Sequence, residues 1–455
     1  MAVEASKAAA GADQAGLRSS IFDYTVSAAH QWRLVVVLTL IAMLSAIDRQ
    51  ALALLVEPIK ADLRLSDTQI GVLMGAAIAV TGLVVGPPAG YFADRVCRRC
   101  MIGVSAVLWS LLTGLSGVSA SFSQMLAARA GVGLFEGVAS PVSTSMLRDA
   151  LSPERRGRGF AVFAMAPMIG TGLAMLAGGG LVAAIKASGL HALPLLGELH
   201  PWQMVFVIFG LIGLPAAALV LAIAEPKRTD HEVTASVDAS VGEALAHVKA
   251  RWKTYVPLIA FTTMHGMLSL SFAAWAPALL GRTWGLDPAR IGLTFGVMML
   301  VLSPIGLAIA GVVIDRMARM GRADPAAIGI VATVVIWLTA TAMPIAPSPG
   351  VFWLLLAVLL LFSGTAMPVA STILAAITPS RAMGKVAALQ GVVVGLLSAT
   401  LAPSLTPILA ASLFQGQRRA LGEALSLAVF VYGLLALIAI LAVRHAVRQA
   451  NRTAG

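Results

Sequence analysis

The sequence predicts an all-α integral membrane protein with twelve transmembrane helices in two six-helix pseudo-symmetric bundles. Three observations carry that prediction. The 455 residues are 58% hydrophobic and only 12% charged, about half the charge of a soluble globular chain. Apolar runs of about twenty residues, enough to cross a bilayer, recur twelve times. The second half of the chain also repeats the first.

The runs fall at approximately 34–56, 68–91, 101–121, 124–147, 160–186, 203–223, 254–280, 290–314, 327–346, 351–376, 384–412 and 422–443. Before them, residues 1–32 are polar, without the apolar centre of a cleaved signal, and are expected as an N-terminal tail. The first six spans form one bundle, 33–224, and the last six another, 254–443. Between them lies the polar linker 225–253, in which "VGEALAHVKARW" has the spacing of a short surface helix. A second tail, 444–455, closes the chain.

An even number of spans puts both termini on one side. With that side cytoplasmic, 23 of the 32 Lys and Arg residues lie there, seven lie opposite, and Arg49 and Arg129 lie within spans. This is the positive-inside bias of a protein in the cell inner (plasma) membrane. The net charge of +11 therefore records orientation, and no nucleic-acid partner is expected.

Sliding the chain by 221 residues brings Leu65, Ile70, Gly71, Gly75, Gly90, Asp94, Arg95 and Arg98 onto Leu286, Ile291, Gly292, Gly296, Gly311, Asp315, Arg316 and Arg319. At an offset of 227, "LFEGVASPVSTSML" meets "LFSGTAMPVASTIL". Parallel repeats of six spans place a binding site near the bilayer midplane, between halves that rock around it.

Charge inside spans is costly, about 2.5–3.5 kcal/mol per Asp or Arg at a helix centre on insertion scales. Yet the first half keeps Asp48, Arg49, Arg129 and Glu136, while the positions repeating Arg129 and Glu136 are Leu356 and Ser363. At 1.5 Å per residue, Asp48 and Arg129 lie about 13 and 9 Å below the outer ends of spans one and four, with Glu136 roughly 10 Å deeper than Arg129. Four ionisable groups sharing one water-accessible chamber would bind and release protons. A protonated acid frees an arginine for an anionic group, which a guanidinium grips through two bonds. Asp48 and Glu136 are the expected proton-coupling residues, Asp48 with Arg49 forming the switch. Arg49, Arg129 and His265 of span seven are the expected substrate contacts.

The loop "GYFADRVCRR" carries Gly90, Asp94, Arg95, Arg98 and Arg99 at the spacing of the major facilitator superfamily signature, with a degenerate copy from Gly311 to Arg319. The chain resembles that superfamily along nearly its whole length. The resemblance implies a latch in which Asp94 and the arginines, with Asp315 and Arg316 in the copy, hold the cytoplasmic ends of the halves together. Within the superfamily, "AIDRQALALLVEPIKADLRLSDTQIGVL" and "ARAGVGLFEGVASPVSTSMLRDALSPERRGRGFAVF" look like the Spinster family of lysolipid and sphingolipid transporters. There the residues matching Asp48, Arg49, Arg129 and Glu136 form the central polar site. This implies proton-driven movement of a lysophospholipid or related amphipathic anionic lipid by alternating access, with small organic anions or sugar phosphates as the alternative substrates.

Other features are read structurally. The glycine triplet Gly178, Gly179 and Gly180 lacks the Lys and Ser/Thr of a phosphate loop, and signals close packing or a flexible gate helix. Trp275 and Trp284 mark the interface. Cys97 and Cys100 have no second pair or nearby His to complete a metal site, and are expected as unpaired thiols. No cofactor or metal is expected, the ionisable groups are buried in spans rather than gathered for enzyme chemistry, and the chain is read as a monomer among membrane lipids.

Overall fold

A computed structural model describes residues 27–454, apart from 94, 190–191, 194–196, 229–236, 321–323, 416 and 418. Sixteen helices are described: α1 (Ala28–Leu54), α2 (Val56–Leu63), α3 (Asp67–Met74), α4 (Ala76–Ala93), α5 (Arg98–Gly117), α6 (Phe122–Ala150), α7 (Pro153–Ser188), α8 (Pro201–Ala222), α9 (Val237–Ala250), α10 (Trp252–Trp284), α11 (Pro288–Arg319), α12 (Pro325–Ala342), α13 (Pro349–Ser363), α14 (Ala366–Ile377), α15 (Ser380–Leu413) and α16 (Ala420–Ala454). A two-residue hairpin, β1 (Ala192–Leu193) and β2 (Gly197–Glu198), lies between α7 and α8.

Local chemistry sets the boundaries. Ser66 and Gln69 cap α3 reciprocally, and Ser121 and Asp324 accept from the first-turn amides of α6 and α12. Pro153, Pro201, Pro325 and Pro349 open their helices where no amide is needed. α7 and α10 end at Gly189 and Gly285, both left-handed at φ 63° and 65°.

Spans two and ten are each broken, into α3–α4 at Gly75 and α13–α14 at Gly364 and Thr365. At the first break the halves touch: a Cβ on Gly75 would stand 2.6 Å from the Ala399 carbonyl oxygen. Among the described residues eleven helical segments are long and apolar enough to cross a membrane. The twelfth span, α6, is long enough at 29 residues but carries Arg129, Glu136 and a run of small and hydroxyl residues that lower its hydropathy. α9 is the helix expected in the linker. α16 runs on to Ala454 through the segment expected as a tail, where Arg444 and Arg448 bind Asp324 at 2.8 and 3.0 Å.

Cys97 and Cys100 depart from expectation: they are joined as a disulfide, and the described residues include no free cysteine. The four-residue turn that starts α5 brings their Cα atoms to 5.3 Å, within bonding range, a proximity that counting ligands had passed over.

The buried core shows how the halves meet. One apolar cluster draws on both, from Ala51 and Leu73 to Trp275, Phe352 and Leu425. The other two are private, one built only from residues 34–223 and one only from 255–443. The shared cluster lies at the end opposite the termini. There a Cβ on Gly71 would meet the Pro403 oxygen at 2.8 Å, and one on Gly292 the Met175 oxygen at 2.4 Å. Towards the termini, Gly86, Gly90, Gly311, Gly391 and Gly395 have nothing within 4 Å of such an atom. The molecule is a V, closed at the far end and open at the end carrying the termini.

Candidate functional site

The four charges of the first half form two pairs. Asp48 of α1 receives Arg129 of α6 side-on: Nη2 to Oδ2 at 2.9 Å and Nη1 to Oδ1 at 3.2 Å. Thr113 of α5 donates its hydroxyl to Oδ1 at 2.8 Å. Arg129 is fully buried and Asp48 nearly so, and the guanidinium carbon lies 5.7 Å from the centre of the Phe206 ring. This is a closed, buried pair, in which both carboxylate oxygens and two guanidinium nitrogens are committed.

Arg49 and Glu136 are arranged differently. Arg49 donates to Ser45 at 2.9 Å and approaches Glu136 only to 3.7 Å. Its side chain is 49% exposed, whereas that of Glu136 is 5% exposed with neither oxygen accepting a hydrogen bond. Both line a cavity of about 360 Å³ between the halves, bounded by Ser45, Ile78, Gly82, Gly133 and Ser140 on one side and by Gly391, Gly395 and Ala399 on the other.

The expectation of one chamber holding all four therefore needs correcting. Asp48 and Arg129 do not line this cavity; Asp48 instead borders a separate one of about 90 Å³ with Ser110, Thr113 and Gly213. The reason is helical geometry. Neighbouring residues project about 100° apart, so Asp48 points into its own bundle while Arg49 points at the other half. His265 stands apart too. It is buried on α10 with its ring 4.8 Å from that of Phe261, its Nδ1 is without a partner, and it does not line the cavity.

Of the expected latch, Asp94 lies outside the described residues. The arginines bind their own half and the start of the linker. Arg98, 1% exposed, donates to Asp149 at 2.5 Å, Glu225 at 3.3 Å and the Pro226 oxygen at 2.9 Å; Arg99 donates to the Ile223 oxygen at 3.0 Å. Arg95 lies over the Tyr91 ring at 3.6 Å. Gly90 faces open space, and Asp315 and Arg316 are exposed at the end of α11. Among the described residues, the bonds of Arg95, Arg98 and Arg99 reach no residue of the second half.

At the closed end the structure adds residues the sequence reading did not single out. Arg282 of α10 donates to Glu57 at 2.7 Å and to both oxygens of Asp67 at 2.7 Å, joining one half to the other. Lys60 reaches Asp67 at 2.7 Å, Gln50 donates to the Ala273 oxygen at 2.8 Å, and Lys186 pairs with Asp287. Partial burial alone would raise the Asp287 carboxyl, but the Lys186 ammonium and the Ala289 amide outweigh it and hold it below the usual range.

Residues 38–322 match the Major Facilitator Superfamily profile. The chain belongs to the major facilitator superfamily. Its long apolar helices make it a multi-pass membrane protein. A Mycolicibacterium smegmatis protein named MFS-type efflux pump is 30% identical over 289 residues, 63% of this chain and 63% of that protein. Protein spinster of Drosophila melanogaster is 22% identical over 303 residues, 65% of this chain and 48% of that protein. Both matches span less than two thirds of the relative's own length. Among solved structures, the fold superposes on a bacterial homolog of the human lysosomal transporter Spinster, in an inward-facing and unoccupied conformation. The TM-score is 0.78 at 20% identity, covering 93% of this chain and 98% of that one.

Proposed function

We propose that this superfamily member is a proton-coupled, alternating-access transporter of an amphipathic anion, a lysophospholipid or related single-chain anionic lipid. The observation that carries the reading is Arg49: a half-exposed guanidinium in the cavity between the halves, held loosely by a buried carboxylate. When Glu136 is ionised it neutralises Arg49. When Glu136 takes a proton, Arg49 is released for the phosphate of a head group, which it grips through two nitrogens. Proton and anion are thereby exchanged at one place. The apolar rim of Ile78, Val392, Leu396 and Ala399 suits the chain of such a substrate. Asp48 and Arg129 act behind this exchange as a closed pair that fixes span one against span four. The basic end that carries the termini is the cytoplasmic side of the cell membrane, and the transporter works as a monomer.

The test is uptake by proteoliposomes under an imposed pH gradient, screening lysophospholipids against sugar phosphates and organic acids. Lysophospholipid movement that follows the gradient, and loses that dependence in Glu136→Gln, is the expected result. Gradient-driven movement of only small organic anions would move the substrate to the alternative class. Glu136→Gln with the pH dependence of wild type would overturn the proton role.

A further inference from the structure

We propose that Cys97 and Cys100 form a thiol–disulfide exchange site on the signature loop, with low-molecular-weight thiols and disulfides as its reactants. The two sulfurs are joined across the first turn of α5. Cys97 is the residue that caps this helix, its Sγ accepting from the Cys100 amide at 3.3 Å. It stands at the start of a 20-residue helix, with Arg95, Arg98 and Arg99 within two residues of it in the chain. These are the conditions that favour a thiolate: a helix N-terminus, cationic neighbours and the Cys-X-X-Cys spacing. Both residues are partly exposed at the open end of the V, where a small reagent can reach them.

The exchange balances without a further redox partner. The thiolate of Cys97 attacks a small disulfide and expels one thiolate, forming a mixed disulfide. The Cys100 thiolate then attacks the Cys97 sulfur and expels the second, so two protein thiols are oxidised as one small disulfide is reduced to two thiols. Excess small dithiol runs the sequence backwards.

The consequence falls on Arg98, which the bridge encloses. Its amide and guanidinium hold Glu225, and its guanidinium holds Asp149 and the Pro226 oxygen, so this turn ties the start of span three to the end of span four and to the linker between the halves. With the bridge closed the turn is pinned at both ends. With it open, the turn keeps the Arg98 bonds, the Arg228 contacts to the Ala93 and Val96 oxygens and its helical hydrogen bonds, but loses its covalent closure, and the loop gains freedom where the halves must approach for the V to close.

The test uses the full-length protein in lipid nanodiscs, equilibrated with glutathione buffers of graded redox poise and then alkylated with a maleimide of high mass. Wild type is expected to shift between no adduct and two adducts together, while Cys100→Ser, lacking the resolving thiol, is expected to carry one adduct at reducing poise and to stop at a glutathione mixed disulfide at oxidising poise. In the single-cysteine proteins, Cys100→Ser and Cys97→Ser, Cys97 is expected to alkylate at least tenfold faster than Cys100. Amide exchange of residues 92–101 should rise at least threefold on reduction of wild type and stay constant in the two variants. Two adducts at every poise, or equal alkylation rates for the two thiols, would overturn the exchange site. Unchanged amide exchange on reduction would overturn its hold on the loop.

Discussion

Removing the Arg282 guanidinium should tip the molecule out of the conformation seen here. Arg282 makes three charge-assisted contacts of 2.7 Å, all to the opposite half. Such bonds contribute about 1.5–3 kcal/mol each where water is excluded, against about 0.2–1 kcal/mol for exposed pairs. The side chains of Arg282, Asp67 and Glu57 are 24%, 23% and 38% exposed, between those limits. The bidentate geometry helps, the shared donor makes the contacts non-additive, and Lys60 still serves Asp67 when the arginine is gone. A net loss of about 2–3 kcal/mol follows for Arg282→Ala. It falls on the state closed at this end, because no partner of Arg282 belongs to its own bundle. At tenfold per 1.4 kcal/mol, the balance between states shifts about 30- to 140-fold. Spin labels at Val96 and Met320, in a protein with Cys97 and Cys100 replaced by serine, report the separation of the halves at the open end. A new, shorter distance should appear in Arg282→Ala, a smaller shift in Arg282→Lys, and a return towards the wild-type distribution when Asp67→Arg is combined with Arg282→Asp. Distance distributions identical in wild type and Arg282→Ala would refute the reasoning, since the ion pairs would then bear no load between states.

Asp48→Asn leaves a buried guanidinium without its countercharge, and should cost about 3–5 kcal/mol in thermal unfolding in detergent, with much of that recovered by adding Arg129→Met. Glu136→Gln removes a buried charge that makes no hydrogen bond, so stability should stay within about 1 kcal/mol of wild type or rise. Gly75→Leu places a side chain where a Cβ already stands 2.6 Å from the Ala399 oxygen, and the spin-label distance at the open end should shorten because the far end no longer closes. Asp324→Asn keeps the helix cap but loses Arg444 and Arg448, at about 1 kcal/mol. Burial opposes the charge on Asp324, yet Arg444, the Ala327 amide and Arg448 hold its carboxyl below the ordinary 3.8. The wild-type advantage is therefore present above that value and fades as pH falls through the lower folded value, which melting curves of the two proteins across acid pH will check.

What the sequence disclosed, and what it hid, follows from the reach of each interaction. Spans are legible because lipid makes every residue of a helix answer to one solvent, so twenty apolar residues in a row leave little choice. The depth of Asp48 and Arg129 is legible because a helix advances a constant distance per residue, and the two do meet. Pairing was the harder step. Asp48 and Arg49 are adjacent in the chain and read as one switch, but the 100° between them sends one into the bundle and the other into the cavity. Arg129 and Glu136, seven residues apart on the same helix face, then serve one pair each. Arg282 was hidden for a different reason, since its partners lie 215 and 225 residues away. Its trace was the small set of basic residues on the wrong side for orientation: Lys60, Lys186 and Arg282 all belong to it, and all three bind acids. The direction in which the V opens was beyond any such reading. Spans two and eleven carry small residues along their lengths, Gly71, Gly75, Gly86 and Gly90 on one and Gly391, Gly395 and Ala399 on the other, yet only Gly71 and Gly75 meet the other span. One stripe allows close approach at either end, so the stripe by itself does not decide which end closes, whereas the cross-half ion pairs of Arg282 and Lys186 lie at the end that is closed here.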